Sequence, residues 1–116
     1  MKKILVVDDE ENIRMLYQEE LQEEGYEVVV ASNGVEALEV LSTAPFDLVT
    51  LDIRMPGMDG INTVRAIKEK YRDLAVVLVT AYGEYKQDFS TWASDAYVVK
   101  SADLTELKAT VKRIIG

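Results

Sequence analysis

Short runs of almost purely apolar residues recur along the chain, and longer segments between them carry apolar residues at helical spacing. Continuous apolar runs predict strands covered on both faces, whereas a period near 3.6 predicts amphipathic helices. We expect strands at residues 4–7, 26–31, 48–51, 75–80 and 96–99. We expect the first helix at residues 11–23, the second between residue 34 and Pro45, the third after residue 59, a fourth at 85–93 and the last at 104–115.

Helix starts are predicted from polar residues that can cap the first turn. Asn33 is expected to cap the second helix, with Glu36, three residues later, as its reciprocal hydrogen-bond partner. Asp103 and Glu106 have the same spacing at the last helix, and Asp59 is expected to cap the third.

Alternating strands and helices predict an α/β fold in which five βα units form one parallel sheet with helices on both faces. Parallel strands need right-handed crossovers, so the expected architecture is a doubly wound, flavodoxin-like (βα)5 sandwich with strand order 2-1-3-4-5. With 116 residues, the chain is expected to be a single domain, residues 1–116. In such a sheet the ligand crevice lies beyond the carboxyl ends of the strands, between strands one and three.

Composition excludes several classes of function. The net charge is −8, which disfavours direct binding to nucleic acid or to an anionic membrane. Histidine and cysteine are absent, so catalysis by a Ser-His-Asp or Cys-His group, disulfides and thiolate zinc sites are excluded. The apolar run at residues 4–7 is too short for a signal peptide or a membrane span, and we expect a soluble, cytoplasmic protein.

Polar residues that could carry chemistry stand at the ends of the predicted strands: Asp8, Asp9, Asp52, Thr80 and Lys100. Any one of them alone, Asp52 included, is better explained as a cap, loop or turn residue. All of them at one sheet edge predict a site. Two carboxylates about 5 Å apart repel by roughly 3 kcal/mol at an effective dielectric near 20, and a divalent cation relieves this repulsion. Oxygen ligands alone favour a hard ion such as Mg²⁺.

Lys100 and Thr80 suit a phosphoryl group at the same edge. An ammonium and a hydroxyl can neutralise and position phosphoryl oxygens, which is most of what phosphoryl transfer requires. A carboxylate can itself act as the nucleophile and form an aspartyl-phosphate. Asp52 is the residue on which we expect this chemistry to occur.

Four motifs occur together and in order: VVDDE at residues 6–10, LDIRMPGMDG at 51–60, VTA at 79–81 and YVVK at 97–100. With them the whole chain resembles the receiver domains of bacterial two-component response regulators, the family of CheY. It is similar to stand-alone receivers of the sporulation phosphorelay and almost as similar to receivers of larger transcription regulators. The resemblance implies the same strand order that the alternation predicts.

The resemblance also implies ligands and a partner. Asp52 would accept the phosphoryl group of a phosphohistidine on a sensor histidine kinase or a histidine phosphotransfer protein. Asp9 and Asp52 would bind Mg²⁺ directly, Asp8 largely through water, and Arg54 through its main-chain carbonyl. Such a domain is not an enzyme beyond its own phosphorylation and dephosphorylation.

Phosphoryl contacts and a switch are implied as well. The phosphoryl oxygens would be held by Thr80, Lys100 and the backbone N–H of Ala81. Thr80 and Tyr97 would change position on phosphorylation and so act as the switch. The face made by the helix predicted at 85–93, the fifth strand and the last helix would then engage an effector domain or a downstream protein. Residues 85–93 have the poorest helix propensity of the five helices.

One position departs from the family: Ser101 follows Lys100, where receivers usually have proline. Because a cis bond before a non-proline residue costs about 2.5–4 kcal/mol, we expect a trans Lys100–Ser101 bond in an altered loop that still presents the lysine. A strained cis bond is the alternative.

Three other functions stay open at the level of sequence. A haloacid-dehalogenase-type enzyme would need a second aspartate where Arg54 stands. A pseudo-receiver, an interaction module that is never phosphorylated, would be expected to lack some of the acidic or phosphate-binding residues that this chain retains. A flavin-binding protein would need a phosphate-binding loop after the first strand, where Asp8 and Asp9 stand.

Overall fold

The computed structural model describes residues 1–53, 58–80, 95–100 and 103–116, and for residues 53, 58–61 and 80 it describes the backbone alone. Within these residues the strands are β1 Lys3–Val7, β2 Glu27–Ala31, β3 Leu48–Ile53, β4 Ala75–Thr80 and β5 Ala96–Val99. The helices are α1 Glu11–Glu23, α2 Gly34–Leu41, α3 Met58–Lys70 and the C-terminal helix α4 Thr105–Ile115.

The five strands form one parallel sheet in the order β2-β1-β3-β4-β5, which confirms the predicted topology. β3 runs two residues beyond its predicted end, because Asp52 and Ile53 pair with β4. Val7 is level with Leu51 in the register of β1 and β3. The next residues, Asp8 and Asp52, are therefore neighbours at the carboxyl edge of the sheet.

Both faces of the sheet are buried, as continuous apolar strands require. Successive residues of β1 point to opposite faces, so its side chains enter two different cores. On one face Leu5 belongs to the core that includes Ala37 of α2 and Ile67 of α3. On the other face Ile4 packs in the core that contains Tyr17 of α1. Helices therefore cover both faces, and the carboxyl edge of the sheet lies between the two layers.

The second helix has the predicted cap but a different reciprocal partner. Asn33 Oδ1 accepts the N–H of Glu36 at 2.8 Å, as expected. The Glu36 carboxylate accepts the N–H of Ser32 at 3.1 Å rather than that of Asn33, because it reaches one residue further back along the entering chain.

Two other cap predictions need correction. The third helix begins at Met58, so Asp59 lies inside it and does not cap it. At α4 the cap position is Leu104, one residue later than predicted. Asp103 nevertheless accepts the backbone N–H of Thr105 at 3.0 Å, which satisfies the first N–H group of the helix.

Two predictions about the fold fall outside the described residues: the helix at 85–93 and the trans peptide bond between Lys100 and Ser101. Among the helices that the structure does describe, none is long and apolar enough to cross a membrane.

Candidate functional site

Three of the predicted residues meet at the carboxyl edge of the sheet. Lys100 Nζ lies 3.1 Å from Asp8 Oδ2 and donates a hydrogen bond to Asp52 Oδ2 at 3.2 Å. The Asp8 and Asp52 side chains are almost completely buried, with 1% and 3% exposed, whereas 17% of Lys100 is exposed. Their burial makes each charge dependent on the others, since little water is available to solvate them.

Asp8 is held in place from several directions. Its backbone N–H donates to the carbonyl of Ala31 at 3.1 Å, which continues the pairing of β1 and β2 by one residue. Its Oδ1 accepts the N–H of Glu10 at 2.8 Å, and its carbonyl accepts Nη1 of Arg14 at 2.8 Å. The turn between β1 and α1 is therefore anchored by both its main chain and its side chains.

Asp8, Asp9 and Asp52 form a cluster of oxygen donors. One carboxylate oxygen of each lies within 4.8 Å of the others. Asp52 Oδ1 is buried and has no hydrogen-bond partner within the part of the chain that the structure describes. A hard divalent cation would satisfy that oxygen and offset two of the three negative charges, so these residues fit Mg²⁺. Arg54, whose carbonyl was expected to be a ligand, lies outside the described residues.

The charges at the site are strongly coupled. Burial raises the pKa of Asp52 to about 6, repulsion by Asp8 and more weakly by Asp9 adds to the rise, and attraction to Lys100 opposes it. Burial acts to lower the pKa of Lys100, but its bonds and attraction to Asp8 and Asp52 outweigh this and raise it. The lysine therefore stays charged, while the negative charge of Asp52 is held at a cost.

Not every predicted site residue can be placed by its side chain. Thr80 is the last residue of β4, and its backbone pairs with Ile53 on one side and Val99 on the other. This places position 80 between the strand of Asp52 and the strand that leads to Lys100. Its side chain and Ala81 lie outside the described residues.

Tyr97, the predicted aromatic switch, lies in β5 and is partly buried against the core shared with α2 and α3. It pairs with Leu78 of β4 in the sheet. A movement of Tyr97 on phosphorylation stays a prediction.

Glu10 and Arg14 are site residues for which the sequence predicted no role, although Glu10 is the last residue of the VVDDE motif. Glu10 Oε2 lies 3.7 Å from Lys100 Nζ, and Arg14 binds the carbonyl of Asp8. A signal for them exists in the sequence: Glu10 occupies a helix cap position, where shorter side chains are favoured, and Arg14 follows one turn later.

This arrangement combines a buried carboxylate, a fixed ammonium and a set of oxygen donors for a divalent cation. Such a set can bind a cation and a phosphoryl group together, and it can present Asp52 as a nucleophile. Comparison with known proteins agrees with this chemistry. The response regulator receiver domain family model matches residues 4–112 of the chain.

Solved structures extend the likeness over the whole fold. The response regulator TrrA of Thermotoga maritima, in complex with Mg²⁺-BeF, is 53% identical with a TM-score of 0.90, over 99% of this chain and 100% of that one. TrrA in complex with the histidine kinase ThkA matches with 52% identity and a TM-score of 0.89, over 100% of both chains.

Curated relatives differ in how much of them the chain covers. Sporulation initiation phosphotransferase F of Bacillus subtilis is 36% identical, and the match covers 98% of this chain and 94% of that protein. The chain spans only a quarter to a half of the regulatory proteins that it also matches.

Proposed function

The chain belongs to the response regulator receiver domain family, and we propose that it accepts a phosphoryl group on Asp52 as a step in two-component or phosphorelay signalling. The observation that carries the proposal is the position of the Asp52 carboxylate. It is buried beside Lys100, with one oxygen bonded to the ammonium and the other without a partner in the described chain. A merely structural ion pair would not need an orphan oxygen beside two further aspartates.

We assign the metal site to Asp8, Asp9 and Asp52, with the main-chain carbonyl of Arg54 as a further ligand. When bound, Mg²⁺ would supply positive charge that offsets these carboxylates and the oxygens of the incoming phosphoryl group. The complex of TrrA with Mg²⁺-BeF supports this choice of cation.

In the reaction, a carboxylate oxygen of Asp52 attacks phosphorus, and the bond between phosphorus and the donor's leaving atom breaks with its electron pair going to the donor. With acetyl phosphate the leaving group is acetate, and with phosphohistidine it is the imidazole, which takes up a proton. Lys100 holds a phosphoryl oxygen through its ammonium, and we assign the same task to the Thr80 hydroxyl and the Ala81 N–H. Hydrolysis of the acyl phosphate returns Asp52 and inorganic phosphate.

The chain would promote only these two reactions on itself, and in that sense it is a signalling domain rather than an enzyme acting on a separate substrate. We propose a histidine kinase or a histidine phosphotransfer protein as the donor, supported by the complex of TrrA with the kinase ThkA. The surface that includes β5 and α4, with Thr80 and Tyr97 as the switch, is proposed to engage an effector. A single domain over residues 1–116 and a cytoplasmic location stay predictions.

Intact mass spectrometry after incubation with acetyl phosphate and Mg²⁺ tests the proposal. The wild-type chain should gain the mass of one phosphoryl group, and Asp52→Asn should gain none. Asp73→Asn, which removes an exposed carboxylate outside the site, serves as the matched control and should be phosphorylated like the wild type. Phosphorylation of Asp52→Asn would place the acceptor elsewhere, and no gain in any chain would favour a module that works without phosphorylation.

A further inference from the structure

Among the residues that the structure describes, three carboxylates, not two, surround the Lys100 ammonium. Besides its close contacts with Asp8 and Asp52, Lys100 Nζ lies 3.7 Å from Glu10 Oε2, within the range of an ion pair. The Glu10 side chain is 50% exposed, so it lies at the solvent side of the site, whereas the two aspartates are buried. The ammonium is therefore shared between the buried phosphoacceptor and a carboxylate at the entrance.

Side-chain capping of helix α1 does not account for glutamate at this position. Glu10 is the N-cap of α1, with an extended backbone at φ −91° and ψ 119°, and its side chain makes no capping hydrogen bond. Serine, threonine, aspartate or asparagine would each stabilise this helix end by about 1 kcal/mol more than a residue that does not cap. The contact with Lys100 uses both the length and the charge of Glu10.

The backbone of Glu10 is fixed in a way that favours this contact. Its N–H donates to Asp8 Oδ1 at 2.8 Å, and its carbonyl accepts the N–H of Arg14 at 3.1 Å. Because residue 10 is held by the same aspartate that contacts Lys100, the Glu10 side chain starts close to the ammonium. The backbone of Glu10 therefore needs no rearrangement for the ion pair to form.

We propose that Glu10 is a positioning residue that competes with the phosphoryl group for the Lys100 ammonium and thereby slows phosphorylation of Asp52. The inference rests on the proposed function, because it concerns the rate of the same transfer. Lys100 must turn its N–H groups toward phosphoryl oxygens during transfer, and the attraction between its ammonium and the Glu10 carboxylate 3.7 Å away opposes that movement. Loss of the competitor should therefore accelerate the reaction.

The test compares initial rates of phosphorylation by acetyl phosphate with Mg²⁺ in four chains: wild type, Glu10→Gln, Glu10→Asp and Glu11→Gln. Glu10→Gln should react about two- to fivefold faster, the size expected for loss of a half-exposed ion pair. Glu10→Asp should also react faster, because its shorter side chain keeps the charge but loses the reach to Lys100. Glu11→Gln changes the net charge equally at a neighbouring exposed position and should react like the wild type.

A second readout observes Lys100 directly and needs neither metal nor donor. Nuclear magnetic resonance measures the chemical shift of the ¹⁵N-labelled Lys100 ammonium in the metal-free chain. Relative to the wild type, this chemical shift should change in Glu10→Gln and in Glu10→Asp and stay the same in Glu11→Gln.

Unchanged rates together with an unchanged Lys100 signal in Glu10→Gln would overturn the inference and leave the proposed function intact. A fast Glu10→Gln beside a Glu10→Asp that reacts like the wild type would also overturn it, because simple repulsion between a charged entrance and an anionic donor would then explain the rates. A wild-type chain that is not phosphorylated on Asp52 at all would refute the proposed function and, with it, this inference.

Discussion

Lys68 and Asp95 form an ion pair, with 3.0 Å between Nζ and Oδ2, that joins the end of α3 to the residue directly before β5. The same Asp95 oxygen accepts the N–H of Val76 at 2.8 Å, and the Asp95 N–H donates to the carbonyl of Val76 at 2.8 Å. Lys68 also donates to the carbonyl of Leu74 at 2.9 Å. One pair of side chains thus closes the amino end of the β4–β5 pairing, at the opposite edge from Asp52.

Asp95→Ala should therefore lower the free energy of unfolding by about 1–3 kcal/mol, because the N–H of the buried Val76 loses its acceptor. Asp95→Asn keeps an acceptor oxygen and loses only the partly exposed ion pair with Lys68, so its effect should stay below about 1 kcal/mol. Urea unfolding of the two variants and the wild type measures both effects. Equal losses in the two variants would show that the charge, and not the hydrogen bond to Val76, is what matters.

Gly34 of α2 lies against the side chain of Thr63 on α3. A Cβ atom added at Gly34 would lie 2.5 Å from Thr63 Oγ1 and 3.1 Å from its Cγ2. Gly34→Ala should thus destabilise the chain by on the order of 1–3 kcal/mol, as overpacking does, although alanine is the better helix former.

A double-mutant cycle with Thr63→Ala isolates this contact. Thr63→Ala removes both close atoms and leaves only Cβ at 3.4 Å, an ordinary contact distance. Gly34→Ala should then cost less in the Thr63→Ala background, by about 1 kcal/mol or more. Additive losses in the double variant would mean that the two helices do not meet as described.

The fold could be predicted from the sequence because each strand is a mostly apolar run and each run ends at a polar residue. Strand ends were less predictable: residues 48–51 are apolar apart from Thr50, yet β3 continues through Asp52, since pairing with β4 decides where it stops. The partner of a capping side chain such as Glu36 also depends on the rotamer of that side chain, which the sequence pattern does not specify.

The aspartates of the site could be predicted as well, because the order of the strands decides which strand ends are neighbours. In a parallel sheet the register of β1 and β3 brings Asp8 and Asp52 together once the strand order is known. Glu10 could not be placed in the same way. Its contact with Lys100 joins residues 90 positions apart through long side chains, and no periodicity specifies such a contact.

The negative charge of the acidic cluster should make the stability of the fold depend on Mg²⁺. The raised pKa of Asp52 means that the fold resists its negative charge, so in metal-free buffer Asp52→Asn should raise the free energy of unfolding, by on the order of 2 kcal/mol. Mg²⁺ should stabilise the wild type, because a cation that binds only the folded state favours it. Asp9→Asn should remove most of that Mg²⁺ dependence. Thermal unfolding with and without millimolar Mg²⁺ measures these effects, and an indifferent wild type would contradict the metal site.

Tyr17 supplies a prediction about alkaline pH. Tyr17 is buried on α1, and burial raises the pKa of its hydroxyl from 10.0 to about 12. The positive charge of Lys100 opposes this rise, and the negative charges of Asp8 and Asp52 add to it. Because its pKa is higher in the folded than in the unfolded chain, the folded state keeps a proton that the unfolded state loses. The contribution is fully present below pH 10 and should be lost as the pH rises toward 12.

Tyr17→Phe separates this contribution from those of the other ionising groups. Between pH 10 and 12 the wild type should lose about 2–3 kcal/mol more of its free energy of unfolding than Tyr17→Phe does, as a shift of two pKa units implies. Urea unfolding of both chains at several alkaline pH values measures the difference, and the phenolate absorbance of the folded wild type should reveal one late-ionising tyrosine that the variant lacks. Parallel pH profiles would mean that Tyr17 ionises in the folded chain as it does in the unfolded one, and that water reaches its hydroxyl.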